Sequence, residues 1–179
     1  MAITIIDVGY ALWFIFPAYC ANAAPVIFGG GLPLDAGRTF FDGKPILGSH
    51  KTFRGFFSGL VVGTLVGFFQ TLLFQYVLFQ YDVQLRYDVL LGFMLSLGAL
   101  VGDVVESFIK RRLDIPPGSS LPIADQLDFV AGALLFSLMV SPPLSLITLL
   151  IIIIVTPPIH LLTNLLANFL KIKRESRSN

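Results

Sequence analysis

The sequence predicts an all-α integral membrane protein with five transmembrane helices in a single membrane domain, residues 1–179. Two observations support this prediction. Of the 179 residues, 55% are hydrophobic and 13% are charged, whereas soluble proteins carry about 25% charged residues. Five apolar stretches are also long enough to cross a bilayer, for which a helix needs about 20 residues. They lie at about residues 3–28, 56–80, 88–110, 123–141 and 143–170.

The first stretch ends in small residues, from Ala21 to Ala24, that resemble a signal-peptide cleavage site. A signal peptide begins with positively charged residues, and no Lys or Arg precedes this stretch. We therefore expect a retained helix with Pro25 near its end.

The basic residues indicate the orientation. Eleven of the twelve Lys and Arg residues lie in segments that a five-span chain places on one side of the membrane, and the twelfth is Arg86. Cytoplasmic segments carry such an excess. The chain is therefore predicted to be a multi-pass cell-membrane protein with its N-terminus outside and its C-terminus in the cytoplasm. Its cytoplasmic loops are predicted at about residues 29–55 and 111–122.

The fifth stretch contains Pro157 and Pro158, which remove backbone donors and should kink or locally unwind the helix. Beyond them, His160 and Asn164 share a helical face. Their simplest role is to satisfy backbone groups that the prolines free, and a functional role stays open.

The first cytoplasmic loop is longer than a plain connection and is rich in Gly, Pro and cations, which favours a functional role. Hydroxyls, an imidazole and two cations precede the second stretch: Ser49, His50, Lys51, Thr52 and Arg54. Such a cluster at a helix N-terminus suits a polyphosphate. The alternative is a basic segment that orients the helix or contacts anionic lipid.

Acidic residues inside the third and fourth stretches are the strongest functional signal. Asp103, Glu106 and Lys110 share one helical face, and intramembrane charges are costly unless they line a wet cavity or bind a cation. Asp125 and Asp128 share a face at the start of the fourth stretch. Four converging carboxylates would form an Mg²⁺ site. The alternatives are helix capping by the two aspartates and a structural ion-pair network around Lys110.

Other chemistries find little support. Gly29–Gly31 are not followed by the remainder of a Walker A loop, and no serine lies in a nucleophile elbow. A net charge of +1 gives no indication of nucleic-acid binding, and Cys20 is the single cysteine. The acidic pairs and the basic loop therefore predict metal-assisted phosphoryl or nucleotidyl transfer.

These residues resemble a known family. Ser107-x-x-Lys110-Arg111, Asp114, Pro117-Gly118 and Asp125-x-x-Asp128 resemble the signature of the CDP-diacylglycerol synthases, although Gln126 stands where an Arg is usual. The chain is more similar to the archaeal CDP-archaeol synthases, through Asn22-x-x-Pro25, Pro33-Leu-Asp-x-Gly, Gly102-Asp103 and the run from Phe41 to Gly55.

The resemblance implies transfer of CMP from CTP to a prenylated glycerol phosphate ether lipid, 2,3-bis-O-(geranylgeranyl)-sn-glycerol 1-phosphate, with release of pyrophosphate and a requirement for Mg²⁺. The expected metal ligands are Asp103, Glu106, Asp125 and Asp128, which with Lys110 form the expected catalytic set. The expected nucleotide and phosphate contacts are Asn22, Lys44, Ser49, His50, Lys51, Thr52, Arg54 and Arg111. Arg38 and Lys44 are the expected contacts of the lipid phosphate.

Three alternatives remain at this point. One is a synthase for ester-linked phosphatidate, and another is an ion or phosphate transporter, which would show inverted repeats. The third is a noncatalytic scaffold. The sequence does not indicate how cytosine is selected, the lipid saturation, the number of metal ions or the oligomeric state.

Overall fold

A computed structural model describes residues 3–76, 88–116, 119, 121 and 124–169. These residues form five α-helices, so the all-helical prediction is confirmed. The helices are α1 (Ile5–Phe28), α2 (Phe53–Tyr76), α3 (Val89–Arg112), α4 (Ala124–Ser137) and α5 (Leu146–Phe169). The expected ends at about residues 80 and 170 lie outside the described residues.

Four of the described helices are long and apolar enough to cross a membrane: α1, α2, α3 and the Leu146–Thr163 part of α5. The fourth helix is shorter than expected. It has 14 residues and ends at Ser137, whereas the sequence predicted an end at about residue 141. The next residues form tight turns, with hydrogen bonds from Met139 N to Phe136 O and from Val140 N to Ser137 O. Pro142 and Pro143 follow, and a residue before proline is disfavoured in helical conformation.

The second helix begins at Phe53, which places Arg54 in its first turn. Thr52 caps this helix, since its Oγ1 accepts a hydrogen bond from Gly55 N at 3.1 Å. A free N–H at a helix start needs such a partner. The loop before α2 therefore continues directly into a capped helix.

Small residues let the helices approach closely. Gly55, Gly59, Gly63 and Gly67 recur every fourth residue of α2 and are buried. A Cβ added to Gly67 would lie 2.7 Å from the Cα of Gly92 on α3. Such close approaches are typical of membrane helices, which associate by close packing rather than by the hydrophobic effect.

The closest approach is between α3 and α4, which pack more extensively against each other than any other pair of described helices. A Cβ on Gly98 would lie 2.3 Å from Gly132 O, and a Cβ on Gly102 would lie 2.4 Å from Asp128 O. Only glycine fits at these positions without moving a backbone. This packing brings the acidic parts of both helices together.

The fifth helix remains helical through Pro157 and Pro158, so no local unwinding is seen there. Thr156 lies before them, is fully buried and shares a 2.8 Å hydrogen bond with Tyr19 OH. The His160 ring lies 6.3 Å from the Phe129 ring, measured between centroids. The side chain of Asn164 lies outside the described part of the structure.

Candidate active site

Three carboxylates from two helices converge. Asp103 and Glu106 lie on one face of α3, and Asp128 lies on α4. Each offers an oxygen that lies within 4.8 Å of those of the other two, and all three side chains are half-buried. We call these residues the acidic triplet. The close packing at Gly102 explains the convergence. Because Gly102 has no side chain, α3 lies directly against the backbone of Asp128, and Asp103 is the next residue of α3.

Two lysines neutralise this cluster. Lys51 Nζ lies 2.6 Å from Asp103 Oδ2. Lys110 Nζ lies 2.7 Å from Glu106 Oε1 and 2.7 Å from Asp125 Oδ1. Lys110 also donates to Ser119 O at 3.2 Å, and it is buried. A buried ammonium needs such partners, since an unpaired charge inside a protein is strongly unfavourable.

Asp125 is placed differently from the triplet. Its Oδ1 pairs with Lys110 and also accepts a hydrogen bond from Leu121 N at 3.0 Å. Asp125 therefore joins α3 to the connection that precedes α4. Its expected role as a metal ligand stays a prediction, and the acidic triplet is the group whose geometry suits a cation.

Of the polar residues predicted to bind phosphate before α2, Lys51 is the one with an ion pair to the acidic triplet in the described structure. Lys51 reaches Asp103. Thr52 is buried, and its Oγ1 accepts hydrogen bonds from the backbone of Gly30 and Gly55. Exposed side chains make up the rest of the cluster: Ser49, His50 and Arg54. Asn22 is half-buried in the last part of α1. The expected phosphate contacts of these residues stay predictions.

The loop between α1 and α2 is attached to the end of α3. Lys44 Nζ lies 2.6 Å from Asp114 Oδ1 and donates to Arg112 O at 3.2 Å. The Arg112 guanidinium lies 4.9 Å from the Phe40 ring centroid and 4.8 Å from that of Phe108. Arg112 Nη2 also donates to Pro45 O. Lys44 thus has an intramolecular partner, while Arg38 is exposed.

Asp35 organises the same loop. Its carboxylate accepts hydrogen bonds from Gly37 N at 2.9 Å, Leu47 N at 2.9 Å and Gly48 N at 3.0 Å. Burial raises the pKa of the Asp35 carboxyl, but the backbone N–H groups of Gly48, Leu47 and Gly37 outweigh burial and leave the pKa below its ordinary value. The Asp35 carboxylate therefore holds the segment around Gly37 close to Leu47 and Gly48 within this loop.

Arg111 is a buried cation with spare donors. Its residue is 5% exposed, and Nε and Nη1 have no hydrogen-bond partner among the described residues. A buried guanidinium with free donors suits a planar anionic group such as phosphate. The expected phosphate contact of Arg111 stays a prediction.

Sequence reasoning assigned no role to Asp35 or Arg112. A signal for Asp35 was present, because Asp followed two residues later by Gly is typical of an Asx turn. The role of Arg112 had no local signal, since it depends on Phe40, which lies far away in the sequence. Nor did the expectations include the glycine repeat of α2, although its period of four is readable in the sequence.

Chemically, the site combines clustered oxygen ligands with a half-buried lysine. Carboxylate oxygens are the ligands that Mg²⁺ prefers, and Mg²⁺ commonly shares its coordination with substrate phosphates. The acidic triplet therefore fits a divalent cation by number, type and spacing of donors. The coarse expectation of an acidic site with the capacity to bind a metal is met.

Comparison with known proteins identifies the family. The chain matches the family model described as CarS-like, CDP-archaeol synthase, over residues 3–176. It is 50% identical to the CDP-archaeol synthase of Methanocaldococcus jannaschii over 136 residues, which cover 74% of this chain and 76% of the relative. It is 40% identical to that of Methanococcoides burtonii over 173 residues, which cover 90% of this chain and 99% of the relative.

A solved structure agrees. An intramembrane enzyme for archaeal membrane lipid biosynthesis superposes with a TM-score of 0.76 at 34% identity, covering 87% of this chain and 92% of that chain. The match supports a multi-pass membrane protein. Because the family match spans nearly the whole sequence and the relative from Methanocaldococcus jannaschii shares half of the aligned residues, the chain belongs to the CDP-archaeol synthase family.

Proposed function

We propose that this CDP-archaeol synthase is an Mg²⁺-dependent cytidylyltransferase with its active site at the cytoplasmic boundary of the membrane. It transfers CMP from CTP to 2,3-bis-O-(geranylgeranyl)-sn-glycerol 1-phosphate and releases pyrophosphate. The observation that carries the proposal is the convergence of Asp103, Glu106 and Asp128 beside Lys51, in a chain of this family. The relatives do not favour a phosphatidate synthase or a transporter.

The reaction is a direct displacement. An oxygen of the lipid phosphate attacks the α-phosphorus of CTP, a new P–O bond forms, and the bond to the bridging oxygen of the β-phosphate breaks. A phosphate monoester is already ionised near neutral pH, so the enzyme needs no strong base. What the enzyme supplies is alignment of the two phosphates and stabilisation of the developing negative charge.

The acidic triplet would hold the divalent cation. When bound, the cation supplies Lewis-acid polarisation and charge neutralisation at the phosphates. Lys110 keeps Glu106 and Asp125 in place through its two ion pairs, and we assign it a positioning role. Asp125 is assigned to the same site, where it contacts the triplet through its ion pair with Lys110.

The basic groups bind the polyphosphate. Lys51, His50 and Arg54 lie in the last residues of the loop and the first turn of α2. Arg111 adds, from α3, Nε and Nη1, for which the described part of the chain provides no hydrogen-bond partner. These cations would orient the leaving pyrophosphate. Arg38 is exposed on the same loop and is assigned to the lipid phosphate, whose prenyl chains stay in the bilayer.

The test uses the purified enzyme in liposomes with CTP and either the geranylgeranyl ether lipid phosphate or phosphatidate. We expect pyrophosphate release with the ether lipid phosphate, complete loss of turnover in EDTA, and recovery on addition of Mg²⁺. Full activity in EDTA would remove the metal from the proposal. Equal turnover with phosphatidate would remove the ether-lipid specificity.

Asp128→Asn tests whether the acidic triplet is the metal site. It removes one charge from the acidic triplet. We expect the Mg²⁺ concentration needed for half-maximal activity to rise by at least about 10-fold, because loss of even a hydrogen-bonding partner of a metal ligand typically weakens metal binding about 10- to 100-fold. Asp7→Asn is the control, because Asp7 is an exposed carboxylate in the capping box of α1. Asp7→Asn should leave the Mg²⁺ requirement unchanged.

A further inference from the structure

Lys51 contacts a carboxylate that belongs to the proposed metal site. Its Nζ lies 2.6 Å from Asp103 Oδ2, and Asp103 belongs to the acidic triplet. A divalent cation bound to the same carboxylate would repel this ammonium, because both groups are positively charged and lie close together. Lys51 is also an expected contact of the nucleotide, so two partners are expected for one ammonium.

The two lysines of the site differ in how firmly they are held. The Lys110 side chain is 8% exposed and its ammonium has three partners, Glu106, Asp125 and Ser119 O. The Lys51 side chain is 24% exposed, and among the described residues Asp103 is its single ion-pair partner. Release of Lys51 therefore breaks one contact, whereas release of Lys110 would break three.

The backbone of Lys51 is held in place. Leu34 N donates to Lys51 O at 2.7 Å, and Lys51 N donates to Gly48 O at 3.4 Å. Gly48 is in turn bound by Asp35. A change of partner by Lys51 is therefore a rotation of a flexible side chain and needs no movement of the loop.

We propose that Lys51 is an exchangeable counterion: its ammonium neutralises Asp103 until a divalent cation binds the acidic triplet, and it then transfers to the triphosphate of the nucleotide. This inference rests on the proposed metal site. Cation binding would thus release the side chain that binds the nucleotide. Linkage requires the reverse effect as well, so the nucleotide, by holding Lys51 away from Asp103, strengthens cation binding.

The first test measures binding of Mn²⁺ to the purified full-length enzyme without nucleotide. The concentration of free Mn²⁺ is read from its electron paramagnetic resonance signal. Lys51→Met removes the competing charge while keeping the length of the side chain. We expect it to tighten Mn²⁺ binding about tenfold or more, in line with the coupling of close charge pairs. Lys51→Gln repeats the test with a second neutral side chain.

Lys44→Met is the matched control for Mn²⁺ binding. Lys44 also forms a 2.6 Å ion pair, but its partner Asp114 is outside the acidic triplet. We expect its Mn²⁺ affinity to stay within about twofold of the wild type. Equal tightening by Lys44→Met would overturn the proposal, since the effect would then reflect net charge alone.

The second test measures CTP binding by calorimetry at saturating Mn²⁺ and without lipid. We expect Lys51→Met to bind CTP about tenfold more weakly, because the released ammonium is missing. Unchanged CTP affinity would overturn the transfer of Lys51 to the triphosphate. Unchanged Mn²⁺ affinity in both Lys51 variants would overturn the exchange.

Asp103→Asn separates this inference from the proposed metal site. If Asp103→Asn weakens Mn²⁺ binding while the Lys51 variants do not change it, the metal site stands and the exchange fails. If Asp103→Asn binds Mn²⁺ as tightly as the wild type, the metal assignment fails and the exchange fails with it.

Discussion

Asp35 shows how one side chain shapes a loop of the candidate site. It holds three backbone N–H groups at 2.9–3.0 Å, and these include the backbone of Leu47 and Gly48, which precede Lys51. Removing a buried acceptor leaves its donors unpaired, which costs about 1 to 3 kcal/mol. The position of Lys51 thus depends on Asp35, whose side-chain hydrogen bonds in the described structure go to Gly37, Leu47 and Gly48.

The lowered pKa of Asp35 predicts a pH dependence. Its ionised form is stabilised by folding, so its contribution to stability is fully present above the pKa of the unfolded chain, about 3.9. The contribution is lost as the pH falls through the lower pKa of the folded state. We expect Asp35→Ala to lower the thermal unfolding midpoint at pH 7 and to lower it less at pH 3.

Thermal unfolding of the detergent-solubilised protein across this pH range is the measurement. Asp7→Ala is the comparison, because Asp7 is an exposed carboxylate that accepts a hydrogen bond from Thr4 N, the N-cap of α1, and so measures the loss of a similar hydrogen bond outside the loop. A decrease for Asp35→Ala that is equally large at pH 3 and pH 7 would contradict the role of its charge.

At the scale of elements, the packing of α3 against α4 determines the acidic triplet. Asp103 and Glu106 are on one helix and Asp128 is on the other, so any separation of the helices spreads their carboxylates apart. Gly98, Gly102 and Gly132 are the points of closest approach. The spacing of the three carboxylates therefore depends on the glycines that let α3 and α4 approach each other.

Gly102→Ala tests this link. The added Cβ would lie 2.4 Å from Asp128 O, so α4 must move away from α3. Such overpacking costs about 1 to 3 kcal/mol. We expect a lower thermal unfolding midpoint and weaker Mn²⁺ binding in the same variant.

Gly9→Ala is the control, because a Cβ there meets no atom within 4 Å. Alanine is the better helix former by about 1 kcal/mol, so stability should be unchanged or slightly higher. Wild-type stability and Mn²⁺ affinity in Gly102→Ala would show that the close helix packing is not needed for the acidic triplet.

For the whole molecule, the basic residues predict that the loop between α1 and α2 faces the cytoplasm. Phe41 is the natural probe, because it is 100% exposed on that loop. In a Cys20→Ser background, we expect Phe41→Cys to react with a membrane-impermeant maleimide in inverted vesicles and to be protected in intact cells.

Ile3→Cys should be labelled from the opposite side of the membrane. Ile3 is 63% exposed before the start of α1, and it should react in intact cells. Labelling of both positions from the same side would contradict the predicted topology, since α1 lies between them.

Much of this architecture could be predicted from local sequence. Helices α1, α2, α3 and α5 are long and apolar, and a helical period of 3.6 residues places Asp103 and Glu106 on one face without any knowledge of the fold. The end of α4 was missed because Leu138, Met139 and Val140 are as apolar as a helix interior, although they form turns. Hydropathy reports burial in lipid and does not report backbone conformation.

The sequence by itself determined the membrane class, the helical periods and the residue types available for chemistry, because hydropathy and spacing along a helix are local properties. The tertiary structure alone decided that Asp128 joins Asp103 and Glu106 while Asp125 pairs with Lys110. It also decided that Lys51 pairs with Asp103 and that Lys44 pairs with Asp114. The first set depends on the distance between α3 and α4, which close glycine packing allows, and the lysine pairs depend on how the loop before α2 folds against α3. Both involve parts of the chain that are distant in sequence.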